Sequence, residues 1–133
     1  MRIILLILIT SFFFLSCGIR DEQKLIGSWV IERIAAGSES NSIGRMTFNM
    51  IAFDKNGDCD LPLFDIDDSQ KGKWILEKNK RDKFLTIKAF KSTFARKYQL
   101  YFYPDPERRL NCMKLKSDIV TIYCTKFLSP YEE

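Results

Sequence analysis

The chain contains no histidine. That absence removes the side chain most often used as a general base near neutral pH and the commonest ligand of catalytic metals. Glycine and proline are sparse, six and four among 133 residues, and no Gly-rich run matches a phosphate-cradling loop. No Ser-x-x-Lys or Cys-x-x-Cys spacing occurs, so neither a lysine-activated serine nor a dithiol redox pair is available. Enzymatic activity and a bound cofactor are therefore not expected. Charge of one sign is also scarce: 21 basic against 17 acidic residues give a net charge of +4, too mild to argue for a nucleic-acid partner. Internal repeats and low-complexity segments are missing, and after the first sixteen residues no window shows sustained helical spacing of apolar side chains.

What is present begins with a greasy leader. Met1 and Arg2 precede residues 3–15, apolar throughout except for Thr10 and Ser11. At 1.5 Å of rise per residue this stretch reaches roughly 20 Å, short of the ~30 Å hydrocarbon core, so it reads as an export signal and not as a span. The following residues, FLSCG at 14–18, resemble the lipobox of bacterial lipoproteins. Leu15, Ser16, Cys17 and Gly18 match it, while Phe14 replaces the usual aliphatic residue. The resemblance implies that residues 1–16 are a cleaved lipoprotein signal peptide and that Cys17 carries a diacylglycerol and a further acyl chain such as palmitate. Two or three chains hold a protein to a bilayer for practical purposes permanently. The implied location is the cell envelope, with the outer membrane expected and the leaflet orientation open. Residues 17–24 are then the lipidated cysteine and a polar tether; the adjacent Asp21 and Glu22 match either a solvated linker or a weak acidic sorting signal.

Three cysteines remain, Cys59, Cys112 and Cys124, so at least one thiol is unpaired. The segment RLNCMKLKSDIVTIYCTKF reads as a hairpin. A two-residue turn at Ser117 and Asp118 sets Leu115 opposite Val120, Met113 opposite Ile122 and Asn111 opposite Cys124. Met113, Leu115, Val120, Ile122 and Cys124 then share one face, and Cys112 falls on the other. This disfavours a Cys112 to Cys124 bridge and leaves Cys59 with Cys124 as the expected disulfide.

From residue 25 onward, short apolar or alternating stretches recur at 25–34, 45–54, 58–64, 73–78, 83–90, 97–103, 109–116 and 119–127. GSESNSIG, DKNG, DIDDSQKG, EKNKRD, KSTFAR, PDPER and SD separate them, all rich in turn-forming residues. Connections this short join antiparallel neighbours. The expected fold is all-β: an eight-stranded up-and-down meander over residues 25–128 that hides its edges by closing into a barrel, with 129–133 as a tail. Gly27, Ser28 and Trp29 in the first strand resemble the Gly-x-Trp signature of lipocalins. Together with FDKNGDCDLP, GKW and the ending IYCTKF, the pattern is similar to the small lipocalin-like domains of bacterial lipoproteins. That resemblance implies a tryptophan closing the barrel base; no arginine ends the last strand, and Lys126 is the cation placed to cover Trp29.

An eight-stranded barrel either fills its interior with side chains or holds one small ligand. Two functions follow. The first is binding of a small apolar or amphipathic molecule in the barrel mouth, lined by Trp29, Phe48, Trp74 and Tyr98. The second is a non-catalytic envelope interaction module with a filled barrel, meeting a protein or glycan through outward aromatics such as Tyr101 and Tyr103. Phe53, Phe84, Phe90 and Phe102 are further large fillers on expected strands. Chemistry has weaker candidates. Asp58, Asp60, Asp65, Asp67 and Asp68 are oxygen ligands at calcium-like spacing, but DKNGD reads better as a hairpin turn and no metal is expected. Cys112, with Arg108, Arg109 and Lys114 nearby, is the thiol an electropositive setting would activate.

Overall fold

The computed structural model describes residues 20–36, 39–41, 49–63 and 69–127; the leader, Cys17, Phe48, Asp65, Asp67 and Asp68 lie outside the described residues. A single helical turn, α1 (Asp21–Leu25), is followed by strands β1 (Gly27–Ala36), β2 (Glu39–Asn41), β3 (Met50–Phe53), β4 (Asp58–Asp60) and β5 (Lys71–Asn79). β6 (Asp82–Lys88), β7 (Lys97–Asp105), β8 (Leu110–Lys116) and β9 (Val120–Lys126) complete the chain. Every pairing is antiparallel between neighbours, and β1 also pairs with β9. β1 and β3 to β9 therefore close into the expected eight-stranded barrel. β2 adds a three-residue strip to the far half of β1, on the edge that β3 occupies nearer its start.

Alternation decides which side chains fill the barrel. Ile51, Phe53, Cys59, Trp74, Leu85, Ile87, Tyr98, Leu100, Met113, Leu115, Ile122 and Cys124 are buried in one cluster, and the exposed positions of β5 and β6 include Lys71, Lys73, Glu77, Lys78, Asp82 and Lys88. A barrel with an apolar interior and a charged exterior is the inverse of one that spans a membrane. β1 breaks strict alternation. Trp29 and Ile31 face inward, yet Ile34 is buried too, which period two forbids. A register shift between Ile31 and Arg33 against β9 resolves this: the bulge turns both Glu32 and Arg33 outward and returns Ile34 to the core.

The turns follow their residue chemistry. At 54–57 the Asp58 amide donates to Asn56 Oδ1 at 3.0 Å, Gly57 adopts φ of 89°, and the Asp54 amide donates to the Asp58 carbonyl. DKNG is thus a hairpin turn. At the β8–β9 hairpin the structure corrects the expected register: Leu115 faces Ile122 and Met113 faces Cys124. Lys116 and Thr121 are the last pair, so four residues, 117–120, turn the chain instead of two, with the Ser117 hydroxyl accepting from the amides of Ile119 and Val120 within that turn. The shift is two residues, an even number, so the inward set is unchanged and Cys112 stays outside.

Other expectations need correction. Residues 21–25 are helical and not a loose tether: Lys83 pairs with Asp21 at 2.7 Å and Leu25 is fully buried. Phe90 lies beyond the end of β6 and is 79% exposed, so it fills nothing. Cys59, Cys112 and Cys124 are all free thiols. The expected partners Cys59 and Cys124 sit on β4 and β9, three strand steps apart around the barrel. At ~4.8 Å per step this separation exceeds the roughly 4.4–6.8 Å between Cα atoms that a disulfide bridges.

Candidate functional site

Three of the four residues expected to line a ligand cavity are described, and all three are core. Trp29, Trp74 and Tyr98 belong to the single buried cluster. Each also has its polar hydrogen engaged by backbone: Trp29 Nε1 donates to the Leu25 carbonyl at 2.8 Å, Trp74 Nε1 to that of Asp54 at 2.9 Å, and the Tyr98 hydroxyl to that of Phe94 at 2.8 Å. Phe53 meets Trp74 edge-on at 6.0 Å, and Phe94 brings its own ring into the core from the β6–β7 connection. The fourth, Phe48, lies outside the described residues.

Open space lies instead at the end of the barrel where α1 docks. Five residues are too few for a stable isolated helix, so α1 depends on its contacts with the barrel. Its last carbonyls are met from the barrel. Lys126 at the end of β9 donates its ammonium to the carbonyls of Lys24, at 3.2 Å, and Ile26, a placement of positive charge that suits a helix C-terminus. The same ammonium stands 4.6 Å from the centre of the Trp29 ring, so the expected cover of Trp29 by Lys126 is present. Gly27, at φ of 117°, turns the chain from α1 into β1; a Cβ there would lie 2.8 Å from Lys126 Nζ.

Phe102 on β7 stacks on Trp29 with ring centres 6.0 Å apart. Lys24 and Lys83 approach its ring at 6.0 and 5.7 Å. Between α1 and the β7–β8 hairpin runs a groove of about 490 Å³, with Ile26, Trp29, Phe102 and Pro104 as its apolar wall and Lys24 and Lys126 at its margin. Among the described residues no carboxylate lines it. Such a volume is within the range of small-molecule sites. An apolar wall beside two ammonium groups suits a molecule with a hydrocarbon part and an anionic head.

Reactive chemistry has no support here. Cys112 forms part of the groove wall, but it is buried, and burial raises its thiol above the ordinary value despite the attraction of Arg108. An activated thiolate requires the opposite shift. Burial likewise pushes Cys59 up to about 11, helped by Asp60 and Asp58, and pushes Cys124 and the Tyr98 phenol upward. Asp58 and Asp60 are ion-paired with Lys73 and Lys71. Among the described residues no group of three or more His, Cys, Asp or Glu side chains could hold a metal.

Sequence reasoning named Trp29 as lining of a cavity in the barrel mouth and Lys126 and Phe102 as structural parts, and missed the groove that all three border. Lys24 read as tether, since one helical turn gives no periodicity to detect. The DEQKL order, acids first and lysine late, was the only local signal. No protein-family model matches the chain, and no curated protein or solved structure matches it either, so function must be argued from these residues.

Proposed function

We propose that the chain is a lipid-anchored protein of the bacterial cell envelope, held through Cys17, whose lipocalin-like barrel binds a small amphipathic anion in the groove beside α1. The observation that carries this reading is the contrast at Trp29. Its indole N–H is engaged from the core side by Leu25, while its surroundings border about 490 Å³ of open groove with Phe102, Lys24 and Lys126. Among the described residues, the interior candidates Trp74 and Tyr98 are packed and hydrogen-bonded, which favours the groove over the interior. The hydrocarbon part of a ligand gains about 25 cal/mol per Å² of apolar surface it buries against the wall. The two lysines favour a carboxylate or phosphate head. Because α1 begins a few residues after Cys17, an anchor there keeps the groove near the bilayer, where such molecules are found.

The test uses a fluorescent fatty acid titrated into the full chain in neutral detergent. Saturable uptake is expected, with at least a tenfold loss on Asn111→Trp, which fills the groove from an exposed position, and a smaller loss on Lys24→Gln. Absence of uptake, or uptake indifferent to both variants, overturns the groove as the site. Mass spectrometry of the mature N-terminus tests the anchor separately, with a diacylated Cys17 expected and an unmodified one contrary.

A further inference from the structure

A second feature lies on the outside of the barrel, across β1, β9, β8 and β7. Arg33 pairs in register with Tyr123, Tyr123 with Lys114, and Lys114 with Tyr101, so cation and aromatic alternate along a row crossing four strands. The Arg33 guanidinium stands 4.1 Å from the centre of the Tyr123 ring and the Lys114 ammonium 4.5 Å from that of Tyr101. Arg33 and Lys114 are two strand steps apart, about 10 Å. Lys116 adds a third cation two residues along β8, and Tyr103 continues the aromatic line along β7. Two carboxylates at the margin, Glu32 and Asp105, share the Arg108 guanidinium, and Glu32 also accepts from Thr125; hydrogen bonding to Arg108 lowers the pKa of both.

We infer that this face binds a linear acidic polysaccharide, with carboxylates on alternate sugars meeting Arg33, Lys114 and Lys116 and sugar rings lying against Tyr101 and Tyr103. Three features of the face select that occupant. Arg33, Lys114 and Lys116 stand outside the Glu32–Arg108–Asp105 cluster and leave the face net positive, which complements a polyanion. The pairing of β1 with β9 leaves no open edge between them, so an extended peptide has no strand to extend. The remaining outward positions, Gln99, Thr121 and Thr125, are polar, and the exposed apolar side chains nearest the row, Ile119 and Phe127, stand beyond the two ends of β9 and not within it; a surface that enters a bilayer or forms a protein interface core carries clustered aliphatic anchors and few lysines. This inference does not rest on the groove reading or on the lipid anchor, although Tyr103 borders both the face and the groove.

The test is retention of the full chain, in neutral detergent, on immobilised polygalacturonate with neutral dextran as reference. Retention on polygalacturonate alone is expected, falling as salt is raised. Arg33→Gln and Lys114→Gln should each weaken it about fivefold, and together by more than tenfold, the size of effect that losing one or two charge contacts brings. Lys78→Gln with Lys88→Gln on β5 and β6 removes the same charge from elsewhere on the barrel and should leave retention unchanged. All four positions are at the surface, and an unchanged melting temperature verifies the fold. Equal loss with the control pair, equal retention on dextran, or displacement of the polysaccharide by phosphatidylglycerol micelles would each overturn the inference, the last by assigning the face to lipid headgroups.

Discussion

The two tryptophans perform the same local act in different settings. Trp74 donates to the Asp54 carbonyl of a hairpin turn and packs edge-on against Phe53, so sheet and turn enclose it. Trp29 donates to the Leu25 carbonyl of a one-turn helix, with Lys126 over its ring and Phe102 stacked beside it. An aromatic sealed by paired strands becomes structure only. One sealed by a docked helix borders an opening whose shape depends on that helix staying in place.

The largest way to break this comparison is truncation. Trp29→Ala and Trp74→Ala should each cost about 3–5 kcal/mol of stability in urea denaturation. Only Trp29→Ala should also release the Ile26 amide, which donates to the Glu22 carbonyl within α1, to rapid hydrogen exchange. If Trp74→Ala exposes that amide equally, the two regions form one unit and the distinction fails. A sharper contrast comes from Gly27→Ala against Gly57→Ala. Both have positive φ, worth on the order of 1 kcal/mol or more when a side chain is added. Gly57 has space, its nearest neighbour being the Trp74 carbonyl at 3.9 Å, whereas at Gly27 the new methyl displaces the Lys126 amine. Gly27→Ala should therefore lower the melting temperature more, and it alone should weaken fatty-acid uptake.

The pH profile separates core from surface. The Cys59 thiol has a folded pKa of about 11 against an ordinary 9.0. A raised acid contributes its full stabilisation below the unfolded value and loses it as pH climbs through the folded one. Stability should thus be level from pH 7 to 9 and fall between pH 9 and 11, less steeply in Cys59→Ala. Glu32 gives the smallest effect and the opposite sign. Its pKa is depressed below 4.5 by the Arg108 hydrogen bond, so its contribution is present above pH 4.5 and lost on acidification through the lower folded value. Solvent exposure keeps that loss slight; Glu32→Gln should flatten the acid limb a little.

Barrel topology was legible because it depends on turn chemistry and period-two alternation, and both are local. DKNG reads as a hairpin from Asn56 and Gly57 alone, and the inward set of Met113, Leu115, Ile122 and Cys124 survives a wrong loop length because the error was even. The β1 bulge was partly encoded: Ile31 and Ile34 flanking Glu32 and Arg33 cannot all be placed by strict alternation. What escaped notice depends on distant partners. α1 exists through Trp29, Lys83 and Lys126, which meet it from 4, 62 and 102 residues away along the chain, and no window around DEQKL contains the two lysines. The burial of Cys112 was likewise invisible, because nearby arginines and lysines along the chain say nothing of how closely its neighbours on adjacent strands cover it.

The most direct measurement is an NMR titration of the full chain in neutral detergent with dodecyl phosphate, following backbone and side-chain signals. Binding in the groove predicts shifts concentrated at Lys24, Ile26, Phe102 and Lys126, with Leu85, Ile87, Tyr98 and Leu115 unmoved. Shifts confined to those four interior residues would contradict it, and would return the ligand to the inside of the barrel.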